Sequence, residues 1–375
     1  MTKKRKHLNV ETKMYIPKLI KNTLQGLFYW KKTFKSPFFF ISMTQTLQGL
    51  VPELILKHTL EPIPAAQDIE FKQIFVKRYS QLTDWELFKK YSLSFLRRSI
   101  RINTIHGTVA EITKSIAAKG WKLEQIPWCK EGFWISHAER RDVGHLLEHH
   151  LGKIYVQEAA SMIPSLVLAP RAGDIVLDLC AAPGSKTTQM AAMMENKGFI
   201  VANDYKGMRL SSLGINLQRS GLTNALISLM HGKRFHGFQF DKILVDAPCS
   251  GTGTIRKSLK TIRIWNPHMI NKLARQQKEL LENAFLNLKP GGELVYSTCS
   301  VEPEENEGVV DFLLRKYPEA EIIPVKLSGL KTSPTILQFE GNEYHSSLKN
   351  TLRIWPQDND TEGFFIAKVG KKTAL

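Results

Sequence analysis

Residues 241–253 read Asp-Lys-Ile-Leu-Val-Asp-Ala-Pro-Cys-Ser-Gly-Thr-Gly, and this stretch decides the fold. The apolar run before Asp246 has the length of a buried strand. Pro248 has no N–H for a sheet ladder, so the strand ends there and brings Asp246 and Cys249 to its carboxyl end. Ligands of open α/β sheets bind at that end. Taken alone, the stretch fits two interpretations: a ligand site, or a buried structural thiol beside a loop acid.

A second apolar strand, within residues 291–300, also ends in a thiol. The chain has four cysteines, and two of them, Cys249 and Cys299, directly follow apolar strands. Because parallel neighbouring strands end at the same edge of a sheet, we predict that both thiols lie in one cleft. No two cysteines form a C-x-x-C pair, which argues against a metal site, and their wide spacing argues against a disulfide framework. This usage indicates a reducing compartment.

The remaining chain divides into regions of different patterning. From Gly152 onward strands alternate with helices, which predicts an α/β domain with a doubly wound parallel sheet. The region before it reads as helices followed by a strand–helix–strand–strand pattern, typical of part of a ferredoxin-like or RNA-recognition (RRM-like) fold. We expect Arg97, Arg98 and Arg101 to form a basic edge on this small α+β domain, and residues 363–369 to form a late edge strand. The predicted organisation is a basic extension (1–45), a helical plus α+β RNA-binding domain (46–150) and the α/β domain (151–375).

The charge balance favours a polyanionic partner. Lysine and arginine number 52 against 35 acidic residues, a net charge of +17. Such a surplus attracts phosphates over a long range, although solubility alone is the alternative. Residues 1–45 hold ten Lys and Arg against Glu11 alone, which fits either a mobile arm on nucleic acid or a poorly ordered tail. No apolar run is long enough to span a bilayer and no signal peptide is evident, so we expect a cytoplasmic protein without a membrane partner.

The loop after the first strand of the α/β domain predicts a nucleoside site. A tight small-residue turn at 181–186 precedes a helix, whose N-terminus presents free backbone N–H groups. Asp204, 20 residues past Gly184, is placed to accept hydrogen bonds from ribose hydroxyls. The sequence contains neither G-x-G-x-x-G nor a P-loop in this region, which disfavours NAD and ATP and favours S-adenosylmethionine. A tight turn without a ligand is the alternative.

Three separate motifs, at residues 178–187, 246–253 and 296–300, occur in the order found in a known family. Together they resemble the Sun (Nol/Nop/Sun, Fmu) family of RNA cytosine-C5 methyltransferases, most of all its archaeal tRNA enzymes, over about residues 95–370. Segments 98–104, 155–161 and 362–367 resemble it as well. The resemblance implies a Rossmann-like S-adenosylmethionine-dependent methyltransferase domain. It also implies a cofactor site formed by Cys180, Ala181, Ala182, Pro183, Gly184, Ser185, Lys186, Asp204, Arg209 and Asp246.

The chemistry of such a reaction explains the thiols. Carbon-5 of cytosine is a poor nucleophile until a thiolate adds to carbon-6. Lys186 would favour the thiolate, and Asp246 would hold the ring at N3. A base near carbon-5 must then remove the proton, a role that a second cysteine can fill. Spacing does not say which thiol attacks; the resemblance implies Cys299 as nucleophile and Cys249 in release.

We therefore expect an S-adenosylmethionine-dependent tRNA cytosine-C5 methyltransferase that is a monomer, holds no metal and has RNA as its partner. The alternatives are a ribosomal RNA substrate and a catalytically silent RNA-binding or assembly factor. Two positions depart from the family pattern. His231 stands where an acid usually follows the third strand, and Gln357 follows Trp355-Pro356 where a histidine is common.

Overall fold

A small antiparallel sheet precedes the large one. The computed structural model describes residues 60–66 and 68–373, so the predicted basic extension at 1–45 lies outside the described residues. The first part contains, in chain order, α1 (Gln73–Leu82), α2 (Trp85–Ser92), β1 (Ser99–Ile102), α3 (Val109–Ala117), β2 (Lys122–Gln125), β3 (Gly132–Ser136), α4 (Leu147–His150) and β4 (Ile154–Val156). The sheet order is β2-β3-β1-β4, with antiparallel neighbours throughout. The strand–helix–strand–strand pattern is confirmed, and β4, which follows residue 150, completes the sheet.

The second part contains the large mixed sheet. Its elements are α5 (Ile163–Leu168), β5 (Ile175–Asp178), α6 (Ser185–Met193), β6 (Phe199–Asp204), α7 (Gly207–Arg219), β7 (Ala225–Leu229), β8 (Phe240–Asp246), α8 (Lys260–Ile264), α9 (Pro267–Leu286), β9 (Leu288–Thr298), α10 (Glu307–Lys316), β10 (Ala320–Ile322), the hairpin β11 (Gln338–Phe339) and β12 (Asn342–Glu343), β13 (Leu352–Ile354), α11 (Pro356–Asn359) and β14 (Phe364–Lys371). Strands follow the order β10-β14-β9-β8-β5-β6-β7, and β13 also pairs with β14.

The pairing confirms the doubly wound α/β architecture. Strands β5 to β9 run parallel to one another, as expected of a sheet built from strand–helix–strand units. The prediction of an edge strand near the C-terminus is wrong. Strand β14 lies between β9 and β10, antiparallel to both. Its run from Phe364 to Ala367 is buried throughout, as is typical of a strand covered on both faces.

Side chains of the central strands alternate between two cores. On β8, Ile243 and Val245 pack with α9 and α10, whereas Leu244 packs on the opposite face with α5 and α6. The long helix α9 begins at Pro267, and the side chain of Asn266 accepts a hydrogen bond of 2.9 Å from the Met269 N–H. Helices therefore cover both faces of the sheet.

The strand order reverses at β5, which has β6 on one side and β8 on the other. Connections leave the sheet in opposite directions at such a point and open a crevice beyond the carboxyl ends of the strands. Asp178 ends β5 and Asp246 ends β8, so both carboxylates border this crevice.

Candidate active site

A cavity of about 530 Å³ lies at the carboxyl ends of β5, β8 and β9. Nine of the residues predicted for the site line it: Cys180, Ala181, Ala182, Pro183, Ser185, Lys186, Arg209, Asp246 and Cys299. The other three adjoin it. Gly184 precedes α6, Asp204 binds Arg209 (Oδ2–Nη1 3.1 Å), and Cys249 contacts Cys299. The structure thus brings the predicted residues together.

The two thiols meet as the shared-cleft prediction requires. Asp246 on β8 pairs in register with Ser297 on β9, so the loops that follow these residues run side by side. The sulfurs of Cys249 and Cys299 lie 3.3 Å apart, within hydrogen-bond distance. The hydrogen bond to Cys299 and burial raise the pKa of the Cys249 thiol well above its ordinary value. The two thiols thus form a hydrogen-bonded pair in which either sulfur can be the donor.

An ion pair between buried Lys186 and half-buried Asp246 lies beside the thiols. The Lys186 ammonium lies 2.8 Å from Asp246 Oδ2 and donates to Ser161 Oγ at 3.0 Å. Ser297 Oγ donates to the other Asp246 oxygen at 2.8 Å. Burial alone would lower the pKa of Lys186, but the charge and hydrogen bond of Asp246 and the nearby Cys299 raise it. Lys186 thus stays charged beside Asp246 and Cys299.

Tight packing shapes the turn before α6. Gly184 has φ of +106°, and a Cβ atom there would lie 3.0 Å from a Leu213 methyl carbon. Arg101 reaches this turn from β1 and donates to Ser185 O at 3.2 Å and to Thr188 Oγ1 at 2.9 Å. The prediction that Arg101 belongs to a basic edge is wrong, because its side chain is buried against α6.

The carboxylates of the cavity fit S-adenosylmethionine. Asp178 accepts from Thr187 Oγ1 at 2.7 Å through one oxygen, and its other buried oxygen has no hydrogen-bond partner among the described residues. Burial raises the pKa of Asp178 to about 7. Asp204 is also buried and accepts from the Lys206 N–H at 3.0 Å. Ribose hydroxyls and an ammonium group are the donors that such acceptors need.

A second pair of acids lines the cavity, and the sequence did not point to it. Glu158 accepts from the Ser161 N–H at 3.1 Å and from the Glu362 N–H at 3.2 Å. Burial and the charge of Glu362 raise the pKa of Glu158 to about 8. Lys257 Nζ lies 3.9 Å from Glu362 Oε1. The two carboxyls lie in segments that resembled the family, but no spacing rule could bring together residues 204 positions apart.

The two departures from the family pattern lie outside this lining. His231 is exposed, and its ring centroid is 5.7 Å from that of Tyr205. Gln357 Nε2 donates to Thr83 Oγ1 at 2.8 Å. A larger cavity of about 790 Å³ between the two sheets has no cysteine in its lining.

No helix within residues 60–66 and 68–373 is long and apolar enough to cross a membrane. No group of three or more His, Cys, Asp or Glu there is arranged to hold a metal ion.

Comparison with known proteins gives consistent matches along the chain. Residues 165–370 match the 16S rRNA methyltransferase RsmB/F family, and residues 71–159 match the N-terminal domain of 16S rRNA methyltransferase RsmF. The tRNA (cytosine(49)-C(5))-methyltransferase of Pyrococcus abyssi is 49% identical over 308 residues, covering 80% of this chain and 98% of that protein. The ribosomal RNA small subunit methyltransferase F of Shewanella oneidensis is 43% identical over 285 residues, covering 75% of this chain and 58% of that protein. A solved methyltransferase homolog from Pyrococcus horikoshii has a TM-score of 0.71 and 35% identity, covering 83% of this chain and all of that one.

Proposed function

We propose that this chain, which belongs to the 16S rRNA methyltransferase RsmB/F family, transfers a methyl group from S-adenosylmethionine to carbon-5 of cytosine in tRNA through a covalent cysteine adduct. One observation carries the proposal: two sulfurs 3.3 Å apart, one lining the cavity and the other next to it, lie beside the Lys186–Asp246 ion pair. An enzyme that adds a thiol to a pyrimidine and later expels it needs a nucleophile, a base and a charge-stabilising acid within reach of one ring.

The attacking group is Cys299. Its thiolate adds to carbon-6 of the flipped cytosine and forms a C–S bond, while the ring electrons move toward N3. As the electrons reach N3, that nitrogen takes a proton that Asp246 relays from the Lys186 ammonium, so the adduct forms as a neutral enamine. The proton returns by the same route when Cys299 is expelled. When bound, S-adenosylmethionine supplies an electrophilic methyl group for carbon-5.

The second thiol acts in release. Cys249 must first be deprotonated; its thiolate then accepts the carbon-5 proton, and the electrons of that C–H bond re-form the ring double bond and expel Cys299 as a thiolate. Because the pKa of Cys249 is raised in the resting site, we expect this deprotonation to follow the attack. A base must take the Cys249 proton, and Glu158 and Glu362, which line the neighbouring cavity, are titratable groups available for this role.

The cofactor is held by the turn before α6 and the acids around it. Asp204 binds the ribose hydroxyls, and Arg209, which contacts both Asp204 and Ala182 O, closes the side of the site. The backbone N–H groups that begin α6 and the free oxygen of Asp178 face the remaining polar groups.

The RNA lies across both sheets in this proposal. Exposed cations of the small domain, among them Arg98, Lys122, Arg140 and Arg141, are available for phosphates. The tRNA substrate is supported by the higher identity to the Pyrococcus abyssi tRNA enzyme, which this chain matches over almost its full length. A ribosomal RNA substrate is the second candidate, favoured by the matches to methyltransferase F and its N-terminal domain.

Methylation of purified RNA tests the proposal. The full chain is incubated with S-adenosylmethionine and with unmodified tRNA or small-subunit rRNA, and bisulfite sequencing locates 5-methylcytosine. We expect new 5-methylcytosine in tRNA and none with a Cys299→Ala control. Methylation of rRNA alone selects the second candidate. No methylation of either RNA, with cofactor binding intact, supports a silent RNA-binding or assembly factor instead.

A further inference from the structure

Two chemically identical thiols at 3.3 Å need something that makes them unequal. Lys186 approaches from one side, next to Cys299. The other side is bordered by Glu305, a residue that precedes α10 and does not line the cavity. Its side chain is fully buried, and no step of the mechanism above uses it.

The Glu305 carboxylate contacts the residue that follows each cysteine. One oxygen accepts from the Ser250 N–H at 2.9 Å and from Gln277 Nε2 at 3.0 Å. The other accepts from Ser250 Oγ at 2.5 Å and from Ser300 Oγ at 2.5 Å. A single side chain therefore joins the loop after β8 to the loop after β9.

The surrounding donors fix the carboxylate as an anion. Ser300 Oγ accepts from the Glu302 N–H at 3.1 Å, so its own proton is free for Glu305. Gln277 donates to Pro248 O at 2.9 Å as well, which braces the first loop from α9. Although burial raises the pKa of Glu305, four donors on two oxygens match an ionised carboxylate, which accepts only.

We propose that Glu305 is a positioning residue: its buried carboxylate holds both cysteine loops in register and makes Cys249 the hydrogen-bond donor to Cys299. Its negative charge disfavours a second anion at Cys249. Another titratable group near Cys249 is the Tyr296 phenol, whose hydroxyl donates to the Glu305 backbone carbonyl at 2.6 Å. The consequence for methylation rests on the proposed function, but the effect on the thiols does not.

The test measures each thiol separately in the full chain. Iodoacetamide labels Cys249 and Cys299 across a pH series, and peptide mass spectrometry gives the midpoint for each. In the unmodified protein we expect Cys299 to react at lower pH than Cys249. In E305Q the Cys249 midpoint should fall by about one pH unit or more, because a buried charge next to it is gone. The tRNA methylation rate should fall about 100-fold.

E304Q is the matched control. Glu304 is the preceding residue and pairs with Arg78 at 2.5 Å, away from both cysteine loops. It should leave both labelling midpoints unchanged. An E305Q protein that is folded, by its thermal unfolding curve, yet keeps the Cys249 midpoint would overturn the proposal and leave Glu305 as a structural residue.

If E305Q does not fold, S300A keeps the test decisive, because it removes one hydroxyl donor and leaves the charge. Diamide oxidises the two thiols to a disulfide at a rate that depends on how often the sulfurs meet. We expect disulfide formation to be at least fivefold slower in S300A. An unchanged rate would overturn the proposal that Glu305 holds the two cysteine loops together. If the unmodified protein methylates no RNA, the proposed function fails, while labelling and oxidation still report on Glu305.

Discussion

The Asp246→Asn variant distinguishes the contribution of the Asp246 charge to catalysis from its contribution to stability. The change removes the anionic partner of Lys186, which lies 2.8 Å away with its side chain 9% exposed. Breaking a fully buried ion pair costs roughly 3–5 kcal/mol. The Asp246 side chain is 28% exposed, so water screens part of the loss, and we expect a decrease of about 2 kcal/mol in the free energy of unfolding.

The effect on catalysis should be larger. Asp246 is the group proposed to stabilise charge at N3, and loss of one such group lowers kcat by about 10²–10³. The assay is single-turnover methylation of tRNA at saturating S-adenosylmethionine, alongside urea unfolding of the same protein. Because S-adenosylmethionine is saturating, weaker binding of the cofactor does not lower the measured kcat.

Glu293→Gln is the control for this prediction. Glu293, on the same sheet, is paired with Lys242 and with Lys368, the latter at 3.0 Å, and its side chain is 25% exposed. It lies at the middle of β9, five residues before Thr298, where the strand ends and the loop with Cys299 begins. The Glu293→Gln variant should lose a similar free energy of unfolding and keep kcat within about twofold of that of the unmodified protein. Asp246→Asn with kcat within about fivefold of the unmodified protein, or Glu293→Gln with an equal loss of kcat, would refute the reasoning.

Two further predictions concern buried polar groups. Burial raises the pKa of folded Asp178 to about 7, so the folded protein binds more protons than the unfolded chain between about pH 4 and 7, and stability should fall as pH rises through that window. Asp178→Asn should flatten this fall by a few kcal/mol in urea unfolding at pH 5 and pH 8; an unaltered pH dependence would count against it. Arg101→Met removes two hydrogen bonds to α6 and should lower the free energy of unfolding by about 2–3 kcal/mol while weakening S-adenosylmethionine binding by calorimetry. Unweakened cofactor binding would contradict the role given to Arg101.

The parts of the fold that local pattern controls could be predicted from sequence. Apolar runs ending at Asp204 and Asp246 form strands that end at those residues. The two thiols follow such strands, and parallel pairing of β8 with β9 brings them together. The chemistry of the site was thus readable because it lies just beyond elements with a clear pattern.

Features that depend on tertiary partners could not be read in this way. Arg101 looked like a surface cation because arginines are rarely buried, and only the acceptors at the start of α6 explain its burial. The C-terminal strand looked like an edge strand because it is the last element of the chain. The order of strands across a sheet, however, does not have to follow their order along the chain. No local sequence pattern indicated that three further acids would lie near the site: Glu158, Glu362 and Glu305.

The covalent step is tested most directly by trapping it. A Cys249→Ala protein keeps the proposed nucleophile and loses the group proposed for release, so the adduct should accumulate. The protein is mixed with tRNA and S-adenosylmethionine, denatured, digested and examined by mass spectrometry for a nucleotide-linked peptide. The account predicts an RNA-linked peptide containing Cys299, absent from a Cys299→Ala protein. Free turnover by Cys249→Ala, or a Cys299→Ala protein that links RNA through Cys249, would contradict it.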